Sequence, residues 1–466
     1  MNVADIRVLA VLGLSRSGRP AALLARHSLP GARVIGLDRG EELPAATREA
    51  LSAAGVELRL GSEAQLPDAV DVLVKSPGVP NENSVVCEAA RRGVRIWSEV
   101  EFATRFLPNR LIAITGTNGK TTTTELTGAI LRDAGLPVAV GGNIGNALAE
   151  MPGRVPPAAT IVAELSSFQL EHIEAFRPSV AVLLNLTADH IDRHGSYRAY
   201  VAAKLRLFAN QRHDDVALLN ADDPGILDEV PAIRAAGAGR HVWFSARPGH
   251  VARGLVAGVE DDGMLWLERH EERVSLCHRS ALALKGEHNL QNSLAAAAAA
   301  AFAGVPPEAI AGTLQTFAGV PHRLQVAGTV AGVLYVNDSK ATNVDATLKA
   351  LTAYSGAVRL ILGGYDKGAA YDELAAATEG LVQEVLLIGA TAPALAEAFE
   401  ARRRLVGAAA TPWVVCGDLD AAVATAAAHA KPGDVVLLSP ACASWDQYKD
   451  YVERGERFLR LVEEMT

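Results

Sequence analysis

The chain alternates short apolar runs with longer stretches of helical periodicity. The apolar runs are largely continuous rather than alternating with polar residues, as in strands buried on both faces of a parallel sheet. Before residue 190 they lie at 7–12, 33–37, 71–75, 94–97, 111–114, 138–141, 160–163 and 179–184. Polar loops follow most of these runs, and open parallel sheets bind ligands at the carboxyl ends of their strands. The pattern predicts doubly wound α/β architecture with ligands at those loops.

Two features divide this pattern along the chain. Residues 254–279 alternate around Asp261-Asp262-Gly263, which predicts an antiparallel hairpin. A linker at 318–321 then precedes further apolar runs at 333–336, 359–362, 384–388, 413–415 and 435–438. We therefore expect an α/β protein of three domains. They are a Rossmann-like nucleotide-binding domain (1–107), a central P-loop ATPase-type domain with a parallel sheet and a small antiparallel part (108–319), and a Rossmann-like C-terminal domain (320–466).

Charge and composition exclude some classes of function. The net charge of −9 argues against a nucleic-acid-binding protein, which usually carries a basic domain or stripe. No apolar run reaches membrane-spanning length, and the N-terminus has no signal-peptide pattern. The four cysteines are scattered without metal-ligand spacing, which is typical of a reducing compartment. We expect a cytoplasmic protein that acts on small molecules.

The central unit begins with a strand-like run that leads into Gly116-Thr117-Asn118-Gly119-Lys120-Thr121. A glycine turn between a strand and a helix directs backbone N–H groups toward an anion. Lys120 adds a positive charge for phosphates, and Thr121 adds a hydroxyl for magnesium. The full P-loop pattern has glycine at position 114, where this chain has Ile114. The sequence predicts a shortened P-loop; the alternative is a threonine-rich helix start without a ligand.

The first unit carries a second glycine turn, at residues 13–18, with Asp38 about twenty positions after it. Ser15 stands where a dinucleotide site has its second glycine, so the pattern is weak evidence for NAD. A nucleotide diphosphate on the first helix remains an alternative. Ser76-Pro77-Gly78 forms another loop at a strand end.

Glu164 and His190 follow strands next to the P-loop strand, where they are candidate metal ligands. A helix-capping role for Glu164 and a backbone-bonded loop histidine at 190 are the alternatives. An ATP-binding loop fits a kinase, a motor ATPase or a ligase. A ligase that activates a carboxylate as an acyl phosphate needs metal and positive charge around two anionic reactants.

Four motifs together resemble those of the Mur ligase family: Gly116–Thr121, Glu164-Leu165-Ser166-Ser167, Asp189-His190, and His288-Asn289 with Asn292. Residues 142–145, 166–170, 337–343 and 439–444 resemble the family member that adds D-glutamate to UDP-N-acetylmuramoyl-L-alanine. The resemblance implies an ATP-dependent ligase of cytoplasmic peptidoglycan precursor synthesis that works through an acyl phosphate. It implies those two small molecules as partners, no nucleic acid or membrane, and a monomer.

The resemblance also implies roles for individual residues. The UDP substrate would contact Arg16, Ser17, Asp38, Arg39, Ser76, Pro77, Gly78, Asn143 and Ser166. ATP would contact Gly116, Thr117, Asn118, Gly119, Lys120, Thr121, Thr122, Asn289, Asn292, Arg323, Asp338 and Lys340. Two Mg²⁺ ions would be organised by Thr121, Glu164, His190 and Lys204, with Lys204 carbamylated by CO₂ and with Lys120, His190 and Lys204 catalytic. Glutamate would contact Thr342, Lys367, Ser444 and Tyr451, where Tyr451 replaces an expected Phe.

Simpler interpretations stand beside these roles. Lys204 could pair with a nearby acid, Lys340 and Lys367 could be surface lysines, Arg323 could form a salt bridge at a hinge, and Ser444 could cap the last helix. A ligase that adds L-glutamate is the nearest alternative function. A folate–glutamate ligase would share the P-loop, and a non-enzymatic nucleotide-dependent scaffold would need no glutamate loops.

Overall fold

Three β-sheets organise the chain, which the computed structural model describes over residues 2–250, 253–269, 272–354, 357–365 and 370–465. The chain divides into two units, Met1–Phe317 and Ala318–Thr466. The first unit holds two of the sheets and the second unit holds the third. The α/β class is confirmed, whereas the boundaries at 107/108 and 319/320 stay predictions.

The first sheet is entirely parallel, with strand order β3-β2-β1-β4-β5. Its strands are β1 (Val8–Leu12), β2 (Arg33–Asp38), β3 (Glu57–Leu60), β4 (Val72–Lys75) and β5 (Arg95–Ser98). Its helices are α1 (Gly18–Ser28), α2 (Ala45–Ala53), α3 (Ser84–Arg91) and α4 (Glu99–Thr104). The strand order reverses between β1 and β4, and such a reversal opens a crevice at the carboxyl ends of the two strands.

The second sheet has nine strands in the order β14-β13-β12-β11-β10-β9-β6-β8-β7. They are β6 (Leu111–Thr115), β7 (Val138–Gly142), β8 (Thr160–Glu164), β9 (Val180–Leu183), β10 (Val216–Asn220), β11 (Arg240–Pro248), β12 (Leu255–Val259), β13 (Met264–Arg269) and β14 (Glu272–His278). The pairs β12–β13 and β13–β14 are antiparallel, which confirms the predicted hairpin and adds a strand to it. The pattern of apolar runs does not predict β3, β10 or β11.

The helices of this part are α5 (Lys120–Asp133), α6 (Ser167–Leu170), α7 (Ile191–His194), α8 (Tyr197–Leu205), α9 (Pro224–Asp228), α10 (Val230–Ala236), α11 (Glu287–Phe302) and α12 (Pro307–Thr316). The alanines at 295–300 of α11 are buried, and their small side chains let α11 pack closely against α5 and β11. This packing brings the start of α11 beside the P-loop.

The third sheet has the order β15-β16-β20-β17-β18-β19, parallel except for the edge strand β15. Its strands are β15 (Gln325–Val330), β16 (Val333–Asn337), β17 (Val358–Gly363), β18 (Val382–Ile388), β19 (Trp413–Gly417) and β20 (Val435–Leu438). Its helices are α13 (Val344–Leu351), α14 (Asp372–Ala377), α15 (Ala392–Val406), α16 (Leu419–His429) and α17 (Tyr451–Glu464). The half-exposed strand β15 was not predicted, since it lacks an apolar run.

Across the described ranges, every helix is too short or too polar to cross a bilayer.

Candidate functional site

The P-loop occupies the turn between β6 and α5, as the sequence predicts. Gly119 has φ 80° and Gly116 has φ 156°, so the chain reverses through two conformations that favour glycine. A Cβ at Gly119 would lie 2.3 Å from Asn292 Oδ1, so a side chain there would displace the Asn292 side chain. Lys120 Nζ donates to Gly116 O at 3.0 Å and to Thr117 O at 2.8 Å. The ammonium therefore lies over the loop, at the N-terminus of α5, where an anion is favoured.

Side chains from neighbouring loops hold the P-loop in this shape. Asn185, after β9, accepts from Asn118 N at 2.8 Å and donates to Asn118 O at 3.1 Å. The Thr117 hydroxyl is 2.8 Å from Tyr200 Oη. Neither Asn185 nor Tyr200 has a role predicted from the sequence. Only the strand-end position of Asn185 offered a signal.

The two asparagines assigned to ATP lie behind the loop on α11. Asn292 is buried, and its Oδ1 accepts from Thr123 Oγ1 at 3.3 Å. Asn292 Nδ2 donates to Asn289 Oδ1 at 3.2 Å, and Asn289 Nδ2 donates to Lys285 O at 2.8 Å. Asn292 therefore supports the loop directly.

Lys204 on α8 reaches the other side of the same loop. It is 2% exposed, and Nζ donates to Gly116 O at 2.7 Å and to Thr115 Oγ1 at 3.4 Å. In the described part of the chain no ion pair joins this ammonium to a carboxylate, although the charges of Asp189 and Glu164 favour its charged form. Burial, together with the charge of Lys120, holds the pKa of Lys204 well below its usual value.

Glu164 ends β8 and faces the loop after β7. Its Oε1 accepts from Asn143 Nδ2 at 2.8 Å, while the buried Oε2 has no hydrogen-bond partner among the described residues. A Cβ at Gly142 would lie 2.4 Å from Glu164 O, so glycine permits this close approach. The helix-cap alternative for Glu164 is wrong, because Ser166 caps α6.

His190 lies in the loop after β9 rather than at the strand end itself. It has φ 53°, and its half-exposed ring lies 5.0 Å from the ring of Phe168. His190 Nε2 is 3.5 Å from Asp189 Oδ2. Its exposure contrasts with the burial of Glu164.

The donor set suits a magnesium ion that arrives with a phosphate. The described residues contain no group of three or more His, Cys, Asp or Glu side chains able to hold a metal alone. Mg²⁺ commonly takes one or two carboxylates and completes its shell with phosphate oxygens and water. The unpartnered Oε2 of Glu164 fits such a role, with Thr121 and His190 as further candidates.

A cleft of about 220 Å³ opens at the carboxyl ends of β1 and β4. Its lining residues are Ser15, Arg16, Ser17, Ser76, Pro77, Gly78, Gly142, Asn143 and Gln169. The cleft thus brings together six of the nine residues predicted for the UDP substrate. Arg16 Nη2 also donates to Gly145 O at 2.8 Å, which links its two sides.

The other three predicted substrate residues are placed differently. Asp38 accepts from Leu14 N at 2.7 Å and from Gly40 N at 3.0 Å, so its carboxylate shapes the glycine turn. Ser166 forms a capping box with Gln169. Arg39 is exposed, and neither it nor the other two lines the cleft in the described structure.

In the C-terminal unit the predicted residues gather at strand ends. Asp338 follows β16, where its Oδ2 accepts from Ser439 Oγ at 2.8 Å, and burial raises the pKa of Asp338 to about 6. Lys340 Nζ lies 5.3 Å from the ring centroid of Tyr451, and Ser444 is buried after β20. Arg323 and Thr342 are partly exposed. Lys367 lies outside the described residues. Asp450 caps α17, so the capping interpretation of Ser444 is wrong.

Arg454, which the sequence analysis did not identify, joins these strand ends. This α17 residue is 1% exposed. Its guanidinium donates to the carbonyls of Ser339 (2.9 Å), Cys442 (3.1 Å), Ala443 (3.3 Å) and Gly363 (3.4 Å). Three loops, after β16, β17 and β20, therefore share one cation.

A second cavity, of about 560 Å³, lies away from all predicted site residues of the first unit. Residues of β11–β13, α11 and the start of α12 line it, among them Val256, Leu267 and Phe302. The site is therefore assigned from the P-loop and the smaller cleft rather than from cavity size.

Comparison with known proteins matches both units. A model of the Mur ligase middle domain matches residues 114–300, and a model of the Mur ligase glutamate ligase domain matches residues 322–442. A UDP-N-acetylmuramoylalanine–D-glutamate ligase of Pelotomaculum thermopropionicum is 42% identical over 97% of this chain and 96% of its own length. The enzyme of that name from Anaeromyxobacter dehalogenans is 45% identical over 98% of each chain.

Solved structures share the fold at lower identity. The UDP-N-acetylmuramate–alanine ligase MurC of Thermotoga maritima is 20% identical, with a TM-score of 0.58 over 99% of this chain and 100% of its own. The MurF ligase of Thermotoga maritima, solved in complex with ADP, is 19% identical with a TM-score of 0.56 over 85% of this chain and 89% of its own. Because relatives above 40% identity span nearly its whole length, this chain belongs to the Mur ligase family.

Proposed function

We propose that this chain joins D-glutamate to UDP-N-acetylmuramoyl-L-alanine, with cleavage of ATP to ADP and phosphate. It acts in the cytoplasm, as a monomer, on small molecules alone. The single observation that carries the proposal is the Asn143–Glu164 contact at 2.8 Å. Asn143 lines the substrate cleft, and Glu164 ends the strand paired with the P-loop strand. One hydrogen bond thus connects the site for a nucleotide substrate with the site for phosphate.

The order of chemical steps follows from the reactants. A carboxylate does not react with an amine at neutral pH, because its carbonyl carbon is not electrophilic enough and no good leaving group is present. Transfer of the terminal phosphate of ATP to the alanyl carboxylate forms an acyl phosphate. The glutamate amine then attacks the acyl carbon, the amide bond forms, the C–O bond to phosphate breaks, and the amine loses a proton.

The P-loop residues stabilise the first step. The N–H groups at the start of α5 and the Lys120 ammonium face negative charge that spreads over the transferring phosphate. Gly116, Thr117, Asn118 and Gly119 form the loop, Thr122 extends it into α5, and Asn289 and Asn292 support it from α11. We propose Arg323, Asp338 and Lys340 as further ATP-binding residues.

Thr121, Glu164 and His190 would hold magnesium, which when bound shields the charge of the ATP phosphates. An ammonium at position 204 would repel that cation. A neutral amine can add to CO₂, and the lowered pKa of Lys204 favours the neutral form. We propose that Lys204 is carbamylated, which replaces a positive charge with an anionic oxygen donor.

The substrates divide between the two sets of loops. Arg16, Ser17 and the Ser76–Gly78 loop bind the nucleotide end, while Asn143 contacts the muramoyl-alanine. We propose Thr342, Lys367, Ser444 and Tyr451 for glutamate, with Lys367 pairing one of its carboxylates. Asp38 and Ser166 act by shaping their loops.

Phosphate release measured with one reactant omitted at a time tests this function. We expect release only when ATP, UDP-N-acetylmuramoyl-L-alanine and D-glutamate are all present. Full release without either acceptor would contradict the ligase assignment and favour a simple ATPase. Lys120→Ala should lower kcat by about 100-fold or more, because it removes an oriented charge at the transferring phosphate. Lys431→Arg, an exposed charge-conserving change in the C-terminal unit, is the control and should leave the rate unchanged.

A further inference from the structure

Five polar side chains form a connected cluster beside the substrate cleft: Lys75, Asn81, Ser167, Glu171 and His194. Glu171, directly after α6, is at its centre. Glu171 Oε2 accepts from Lys75 Nζ at 3.4 Å and from Asn81 Nδ2 at 3.2 Å. Glu171 Oε1 lies 3.3 Å from His194 Nδ1, and His194 Nε2 lies 2.9 Å from Ser167 Oγ.

These contacts join residues far apart in sequence, with 96 positions between Lys75 and Glu171 and 27 between Ser167 and His194. His194 Nδ1 and Glu171 Oε1 are in close contact at 3.3 Å, and the hydrogen bond between His194 Nε2 and Ser167 Oγ extends the cluster. Burial lowers the pKa of His194, because water no longer solvates the charged ring. The cluster therefore runs from Ser167 through His194 to Glu171.

A Ser-His-Glu series of this kind also occurs as a nucleophilic triad, but burial excludes that use here. Ser167 is 2% exposed, and its hydroxyl is already hydrogen-bonded to His194. Lys75 is 1% exposed, and the His194 side chain is 3% exposed. Buried polar groups with every partner in place restrict the elements that carry them to one arrangement.

The two ends of this cluster of side chains belong to opposite sides of the cleft. Lys75 ends β4, directly before the Ser76–Gly78 loop, and its ammonium also donates to Val79 O at 2.8 Å. Ser167 begins α6, two residues before the cleft residue Gln169. Glu171 thus touches groups that belong to both sides, and none of the five residues lines the cleft itself.

We propose that Glu171 is a positioning residue for the nucleotide substrate, holding the Ser76–Gly78 loop and the start of α6 at the spacing the substrate requires. The proposal rests on the proposed function, because it takes the UDP substrate as the occupant of the cleft. Its action is indirect, through Lys75 on one side and through His194 and Ser167 on the other. It predicts an effect on the affinity for that substrate and little effect on the affinity for ADP.

Calorimetric binding to the full chain tests this role without relying on turnover. Glu171→Gln keeps the shape of the side chain but removes the charge and replaces one acceptor by a donor. We expect about tenfold weaker binding of UDP-N-acetylmuramoyl-L-alanine, with ADP binding within about twofold of the unmodified chain. Glu174→Gln is the matched control, since Glu174 pairs with Arg95 at 2.7 Å and contacts neither side of the cleft. It should leave both affinities unchanged.

Ser167→Ala is a second variant for the case in which Glu171→Gln does not fold. It should fold, because it preserves the Lys75–Glu171 ion pair. We expect it to weaken binding of the UDP substrate about threefold. The double variant should lose little more than Glu171→Gln alone, since both changes interrupt one chain. If the losses in binding free energy of the two single variants simply added, the side chains would not act as one connected cluster.

Three outcomes separate the proposals. Unchanged substrate binding by Glu171→Gln, with only a lower melting temperature, would overturn the positioning role. Equal weakening for the UDP substrate and ADP would also overturn it, because the effect would then be global. Failure of the unmodified chain to bind the UDP substrate would instead overturn the proposed function.

Discussion

Lys204 in the first unit and Arg454 in the second are both cations buried away from water, and the protein replaces the lost water differently for each. Lys204 is 2% exposed and Arg454 is 1% exposed, and both donate to backbone carbonyls at the ends of parallel strands. Burial lowers the pKa of both side chains. They differ in how completely the surrounding carbonyls replace water.

The guanidinium of Arg454 spreads its donors over the carbonyls of three loops, and its pKa falls only to about 10. It therefore stays charged at neutral pH and acts as a structural tie. Lys204 has one short hydrogen bond, to Gly116 O at 2.7 Å, and its pKa falls well below its usual value. A buried arginine thus stays charged and can hold loops together, whereas a buried lysine can lose its proton and react as a neutral amine.

Lys204→Arg should have the largest effect. Arginine keeps its charge in a buried site and cannot form the same carbamate, so we expect kcat to fall by about 100-fold or more with folding intact. Steady-state phosphate release gives the rate, and circular dichroism reports the fold. Lys285→Arg is the control, because this exposed lysine also donates to a carbonyl, Ser280 O, at 2.9 Å.

A carbamate on Lys204 also has a direct signature. Carbon-13 NMR after incubation with labelled bicarbonate should show a carbamate resonance in the unmodified chain and none in Lys204→Arg. An active arginine variant would leave only Thr121, Glu164 and His190 as metal ligands.

Arg454→Lys should have an intermediate effect, on stability. Lysine has fewer donors and a different shape, so several buried carbonyls lose their partner, at a cost of about 2–4 kcal/mol in the free energy of unfolding. Urea unfolding, followed by a probe in the C-terminal unit, measures the change. Arg457→Lys, one turn along α17 and partly exposed in an ion pair with Asp420, should shift stability by less than about 0.5 kcal/mol. Equal effects of the two changes would remove the distinction between them.

Glu99→Gln extends the comparison from buried cations to a buried carboxyl group. Of the three changes it should have the smallest effect, seen in the pH dependence of the free energy of unfolding. Glu99 Oε1 accepts from Ala149 N at 2.6 Å, and burial raises the pKa of this carboxyl from 4.5 to about 7. Between these values the folded state holds a proton that the unfolded state has lost. The free energy of unfolding should therefore fall as the pH rises from about 4.5 to about 7, and then level off.

Glutamine at position 99 keeps the acceptor for Ala149 N and cannot titrate, so it should flatten that slope. Urea unfolding across this pH range measures it for both proteins. Glu88→Gln, which changes an exposed carboxylate paired with Arg91, should keep the original slope. An unchanged slope in Glu99→Gln would show that another group is responsible.

Local sequence signals explain what could be predicted. The P-loop, the strand-end loops and the cleft residues Ser76–Gly78 depend on short motifs, so their placement follows from the residues themselves. Asn185, Tyr200 and Arg454 escaped prediction because each acts through contacts with residues distant in sequence. Arg454 reaches Ser339, 115 positions away. The strand β15 escaped for another reason, since half-exposed edge strands carry no continuous apolar run.

The measurement that tests the central claim most directly is product formation with each enantiomer of glutamate. The unmodified chain is given ATP, magnesium and UDP-N-acetylmuramoyl-L-alanine, and product and ADP are quantified together by mass spectrometry. We predict one ADP for each product molecule with D-glutamate and little product with L-glutamate. A clear preference for L-glutamate would contradict the substrate assignment, and ADP formed without product would contradict the ligase itself.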